Sequence, residues 1–137
     1  MKKKISILGS TGSIGLSTLS IINKKKNFFK VLLLTSNKNY QLICNQIIKY
    51  KPKYFLINDQ KIFDKVKKRF KKNKTQLITT LESKKLNLKS DIVISAIPGI
   101  AGLRPTIAMI NKTKKILIAN KESVICGWNI IKTKAEK

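Results

Sequence analysis

Short, continuously apolar runs return along the chain at Ile5–Leu8, Val31–Leu34, Tyr54–Ile57, Ile92–Ala96 and Lys115–Ala119, with a weaker one at Gln76–Thr79. Between most of them lie longer segments whose apolar residues recur three and four apart. Ser13–Asn23 carries Ile14, Leu16, Leu19, Ile21 and Ile22, and Asn39–Tyr50 carries Leu42, Ile43, Ile47 and Ile48. Ile62–Lys72, Leu103–Ile110 and Ser123–Lys134 read the same way, while 81–87 fits either a short helix or a loop. Strands apolar on both faces belong in a parallel sheet covered by helices on each side. Alternation of strand and helix is the pattern of a doubly wound α/β sheet. With 137 residues, no internal repeat and no Gly/Ser linker, the chain is expected to form a single domain over 1–137.

The first run leads directly into Gly9-Ser10-Thr11-Gly12-Ser13-Ile14-Gly15. This is G-x-x-G-x-x-G, not the commoner G-x-G-x-x-G, but it permits the same physics. Glycines allow a tight turn and a close backbone approach to a pyrophosphate, whose charge then rests on a helix N-terminus. The hydroxyls of Ser10, Thr11 and Ser13 are further candidate donors to phosphate oxygens.

Where an NAD-specific fold places a carboxylate for the ribose 2′-hydroxyl, about 20 residues past the glycines, this chain has Ser36-Asn37-Lys38-Asn39. A hydroxyl, two amides and an ammonium suit a 2′-phosphate, which favours NADP over NAD. Two later runs end in "SAIPGIAGLRPT" (95–106) and "ILIANKES" (116–123). The first is rich in small residues, so a flat ligand can lie close to the backbone. The second gathers an amide, an ammonium and a carboxylate at Asn120, Lys121 and Glu122, where open α/β sheets collect ligands.

Charge is extreme: 30 Lys+Arg against 6 Asp+Glu, a formal +24. Such a surface attracts anionic polymers without regard to sequence, so a basic nucleic-acid-binding α/β module stays open as an alternative. Against it, only Arg69 and Arg104 are arginines, and arginine is the usual reader of phosphate. Lys, Asn and Ile share A/T-rich codons, and a biased genome accounts for the lysines without a nucleic-acid partner. Two distant cysteines and no histidine argue against a metal or disulfide framework and favour a reducing, cytoplasmic setting. The apolar stretch after Lys2-Lys3-Lys4 is too short for a signal peptide, and no stretch approaches a membrane span.

With GSTGSIG, TSNKN, AIPGIAGLRPT and IANKES in this order, the chain resembles the 1-deoxy-D-xylulose 5-phosphate reductoisomerases from residue 2 to about 131. The resemblance implies a Rossmann-like N-terminal domain that binds NADPH. It also implies an enzyme that converts 1-deoxy-D-xylulose 5-phosphate to 2-C-methyl-D-erythritol 4-phosphate with a divalent metal, manganese or magnesium, in non-mevalonate isoprenoid biosynthesis. Position by position, Thr11, Gly12, Ser13 and Ile14 match the pyrophosphate loop, and Asn37, Lys38 and Asn39 the 2′-phosphate turn. Asn120 and Glu122 match cofactor contacts on the nicotinamide side, and Lys121 the lysine that meets the sugar phosphate.

Asn37 stands where the family commonly has glycine; asparagine tolerates left-handed backbone best among the rest, so the turn is expected to survive with a modest loss at most. The family's acidic metal ligands, catalytic lid, C-terminal helical domain and most homodimer contacts correspond to chain beyond Lys137. The 137 residues are therefore expected to include no metal ligand or catalytic residue, and to bind NADPH without turnover, as a truncated enzyme or an inactive remnant.

Overall fold

The computed structural model describes residues 1–137. Strand β1 (Lys3–Leu8) leads into α1 (Ser13–Lys24), β2 (Phe29–Ser36), α2 (Tyr40–Tyr50), β3 (Tyr54–Ile57) and α3 (Gln60–Arg69). Strands β4 (Gln76–Ile78) and β5 (Ser90–Ser95) follow with no helix between them, so 81–87 is loop. A 3-10 turn (Ile100–Gly102), α4 (Leu103–Ile110), β6 (Thr113–Ile118) and α5 (Lys121–Ala135) complete the chain.

All six strands join one sheet in the order β4-β3-β2-β1-β5-β6, and every pairing is parallel. The chain steps outward from β1 to β4, then returns to the other side of β1. That reversal, between β1 and β5, opens a crevice at the carboxyl ends of the strands.

Burial explains why the strand sequences alternate so little. On one face, Ile5, Ile7, Leu34, Phe55 and Ile57 pack against Leu19 and Ile22 of α1, Ile43 and Ile47 of α2 and Val66 of α3. On the other, Leu8, Leu33, Leu56, Ile78 and Val93 meet Met109 of α4, with Leu81 and Leu88 of the β4–β5 loop. In β2 the two-residue alternation slips. Val31 and Leu34 lie in the first cluster, Leu32 and Leu33 in the second. Pairing with β1 skips Leu32, since Ile5 pairs with Val31 and Ser6 with Leu33. The extra residue of this irregularity reverses the phase of the strand.

Side-chain caps set where several helices begin. Asn39 Oδ1 accepts from Leu42 N (3.1 Å), Asp59 Oδ1 from Ile62 N (3.0 Å) and Asn120 Oδ1 from Ser123 N (3.2 Å), opening α2, α3 and α5. Asp59 therefore starts α3 at Gln60, two residues before its first apolar position. The helix ends at Arg69 with Phe70 as its cap, so lysines 71 and 72 lie beyond it.

Candidate functional site

The three glycines after β1 perform three different tasks. Gly9 has φ +84°, and a Cβ there would lie 2.9 Å from the Ala96 carbonyl oxygen, so the turn needs both its left-handed backbone and its bareness. A Cβ on Gly15 would overlap the Gly9 carbonyl oxygen and crowd Ser10 Cα, so this glycine lets α1 pack onto the turn. A Cβ on Gly12 would meet only Gly9 O, at an ordinary 3.7 Å. Its φ of −79° suits any residue. The fold has no need of glycine at position 12; a ligand approaching the backbone would.

Gly12 is also the N-cap of α1, and no side chain caps this helix. The first-turn N–H groups of Ser13, Ile14 and Gly15 have no acceptor one turn back, and no acidic residue sits among them. Their partial positive charge is thus left facing an open cleft of about 340 Å³. Gly12, Ser13 and Ile14 form one wall, Ala96, Ile97 and Pro98 after β5 the floor, and Asn120, Lys121 and Glu122 after β6 the far side. Two motifs more than a hundred residues apart in sequence therefore meet at the crevice.

The hydroxyls divide. Ser10, named above as a phosphate donor, is fully buried: its Oγ donates to Gln46 Oε1 (2.7 Å), and Gln46 Nε2 returns a bond to Ser10 O (2.9 Å). It fastens α2 to the turn and is unavailable to a ligand. Ser13 is exposed at the helix end. Thr11 Oγ1 and Ser36 Oγ are 2.8 Å apart, which joins the glycine turn to the segment after β2.

That segment, Asn37, Lys38 and Asn39, is exposed and is not part of the cleft's lining. Asn37 does not take the left-handed conformation; the one non-glycine residue with positive φ is Lys51. The Asn37 carbonyl accepts from Asp59 N (3.4 Å). No left-handed backbone here sets asparagine at a disadvantage to glycine, so the turn accommodates Asn37. Asn39 spends its carbonyl oxygen on capping α2.

Asn120, read from sequence as a cofactor contact, is 4% exposed. Its Nδ2 donates to the carbonyls of Ile97 and Gly99 while its Oδ1 caps α5. This carboxamide braces the 97–99 loop against the start of α5, with both of its N–H donors engaged, and the residue also lines the cleft. Lys121 is exposed and Glu122 half-buried, and neither forms an ion pair. Glu122 is the single carboxylate lining the cleft, and no three His, Cys, Asp or Glu side chains gather anywhere in the chain to hold a metal. Ala96, Ile97 and Pro98 were legible only as a small-residue strand end.

An uncapped helix start after the first strand of a doubly wound parallel sheet, at its switch point, is the architecture of the Rossmann-like α/β domains. The family profile of 1-deoxy-D-xylulose 5-phosphate reductoisomerase matches residues 5–127, and the chain belongs to that family. The reductoisomerase of Pelagibacter ubique (strain HTCC1062) is 43% identical over 139 aligned positions, covering 98% of this chain and 36% of the relative. That of Buchnera aphidicola subsp. Schizaphis graminum is 47% identical over 131, covering 91% and 33%. Among solved structures, the Zymomonas mobilis reductoisomerase in complex with NADPH superposes with a TM-score of 0.89 at 27% identity, covering 99% of this chain and 36% of that one. The chain thus spans about a third of the length of the relatives it matches.

Proposed function

We propose that residues 1–137 are the NADPH-binding domain of a reductoisomerase that converts 1-deoxy-D-xylulose 5-phosphate to 2-C-methyl-D-erythritol 4-phosphate in the cytoplasmic, non-mevalonate route to isoprenoids. The observation that carries this reading is the bare Gly12 at the uncapped start of α1, opening on the cleft that Asn120, Lys121 and Glu122 complete. The NADPH complex of the Zymomonas relative supports it.

In this reading the backbone of Thr11, Gly12, Ser13 and Ile14 holds the pyrophosphate, since amides and the helix dipole favour an anion there. Lys38 pairs with the 2′-phosphate, beside Asn37 and Asn39. Asn120 and the side chain of Glu122 border the nicotinamide, and Lys121 reaches the phosphorylated sugar. NADPH, when bound, supplies the hydride. The residues present do not fit a divalent metal site; in this reading the metal ligands, and the contacts of a homodimer, belong to other parts of the enzyme.

Titration by NADPH fluorescence tests the reading. Saturable binding tighter than that of NADH supports it. Affinity equal to NADH, or no tighter than that of a lysine-rich control protein, contradicts it. Metal-dependent turnover by the 137 residues alone would overturn the division of labour.

A further inference from the structure

The lysines are not shared evenly between the two ends of the sheet. All six strands run parallel, so they start at one edge and end at the other, where the cleft lies. Four connections lead from a helix back to a strand start: 25–28, 51–53, 70–75 and 111–112. Their 15 residues include eight lysines and no Asp or Glu. Five connections lead from a strand end to a helix: 9–12, 37–39, 58–59, 96–102 with its 3-10 turn, and 119–120. Their 18 residues include one lysine, Lys38. A genome rich in A/T codons raises lysine at both edges alike, and the helix dipole favours it only near the last turn. Neither accounts for Lys26, Lys53, Lys72 and Lys74, which lie two or more residues past a helix end.

The sheet order β4-β3-β2-β1-β5 sets exposed Lys74, Lys53, Lys26, Lys2 and Lys89 in a row along this edge, over about 20 Å at the usual strand spacing. Phe28 stands at its centre. Its N–H donates to Lys25 O (2.9 Å) and its carbonyl accepts from Lys3 N (2.8 Å), which fixes its backbone to the start of β1. Phe29 packs against the core. The Phe28 ring is 66% exposed, with Lys25 Nζ 6.0 Å from its centroid. Ile21 and Ile48, in the last turns of α1 and α2, are exposed at the same end.

We propose that this edge of the sheet docks on an anionic lipid bilayer, with Phe28 inserted among the headgroups. A planar anionic surface meets the whole row at once, and each lysine brought near it adds to the attraction. An apolar ring set among lysines is the combination that settles at the headgroup boundary. Lysine favours this partner over nucleic acid, whose phosphates are read mainly by arginine; the four connections include none. The cleft, at the opposite edge, faces away from the surface and stays open.

Co-sedimentation with vesicles of equal parts phosphatidylglycerol and phosphatidylcholine tests the proposal. Binding that weakens with salt is expected, and none to phosphatidylcholine alone. Phe28→Ser is expected to lower the partition about tenfold, and Lys25→Ser with Lys26→Ser about tenfold or more. Lys84→Ser with Lys85→Ser removes equal charge from the β4–β5 loop, off the row, and is expected to change it less than about threefold. All these side chains are exposed, so Tm stays level. Equal losses from the two lysine pairs, or no loss from Phe28→Ser, overturn the proposal by assigning the binding to net charge. Tighter binding to a mixed-sequence single-stranded RNA, with the same dependence on Phe28 and Lys25, overturns it by making nucleic acid the occupant. NADPH affinity is expected to be the same on and off the vesicles. Displacement of NADPH by them would place the lipid at the cleft and overturn the proposal as well.

Discussion

Asn120 Nδ2 lies 2.6 Å from the carbonyl oxygen of Gly99, and the same carboxamide caps α5 through Ser123 N. One buried side chain thereby ties the end of β5 to the start of the last helix, across the floor of the cleft. Asn120→Ala removes the donor to two carbonyls and the helix cap together. The expected cost is about 1–3 kcal/mol, read as a lower Tm. Asn120→Asp keeps the cap but loses the donors and is expected to recover only part of it. A Cβ at Gly102 would come 2.6 Å from Asn120 Nδ2, so Gly102→Ala should displace the same brace and lower Tm in the same direction.

The glycines separate folding from binding. Gly15→Ala is expected to cost at least about 2 kcal/mol, because the methyl group runs into the backbone of the Gly9 turn. Gly12→Ala should hold stability within about 1 kcal/mol, while weakening NADPH about tenfold by intruding on the phosphate position. Thermal melts alongside NADPH titrations check both. Equal loss of stability at the two positions would show that the fold, too, requires position 12 bare.

Lys38 is the exposed cation of the segment after β2. Lys38→Ala is expected to weaken NADPH about tenfold, the size of one charge-assisted hydrogen bond, with NADH binding unaltered. A parallel loss for both nucleotides would assign Lys38 to general electrostatic attraction and not to the 2′-phosphate.

Asp91, at the start of β5, receives the Lys114 ammonium (2.9 Å) and the backbone N–H of Lys4 (2.8 Å), which links β1, β5 and β6. These partners, Lys114 first, hold its carboxyl below the usual carboxylate range. Its stabilising effect is therefore complete above the unfolded value, about 4, and fades as pH falls through the lower folded value. Melts of the unaltered chain and Asp91→Asn should differ at pH 6 and converge toward pH 3. A gap that stays constant would mean the carboxylate's charge has no part in it.

Much of the fold was legible because a parallel sheet buries both faces of its strands, which leaves uninterrupted runs such as Tyr54–Ile57 and Ile92–Ala96. Helix α4 begins at Leu103 and ends at Ile110, as the periodicity indicates. Less legible were features decided by a single side chain finding a distant partner. Asp59 starts α3 before its apolar face does. Ser10 looks like its neighbouring hydroxyls until Gln46, 36 residues on, claims it. The brace that Asn120 gives the 97–99 loop was hidden because its partners, Ile97 and Gly99, lie more than twenty residues away. The slip in β2 was hidden because four apolar residues in a row read alike in either phase.

The central claim is that the open start of α1, not the lysine-covered surface, receives the cofactor. Amide chemical shifts in a two-dimensional NMR titration with NADPH at moderate salt test it most directly. Saturable shifts are expected to concentrate at Gly12, Ser13 and Ile14, with others at Lys38 and at Asn120–Glu122, and Gly12→Ala should need about tenfold more NADPH to reach them. Shifts spread over the lysines of α3 and 71–74, with Gly12 to Ile14 unmoved, would contradict it.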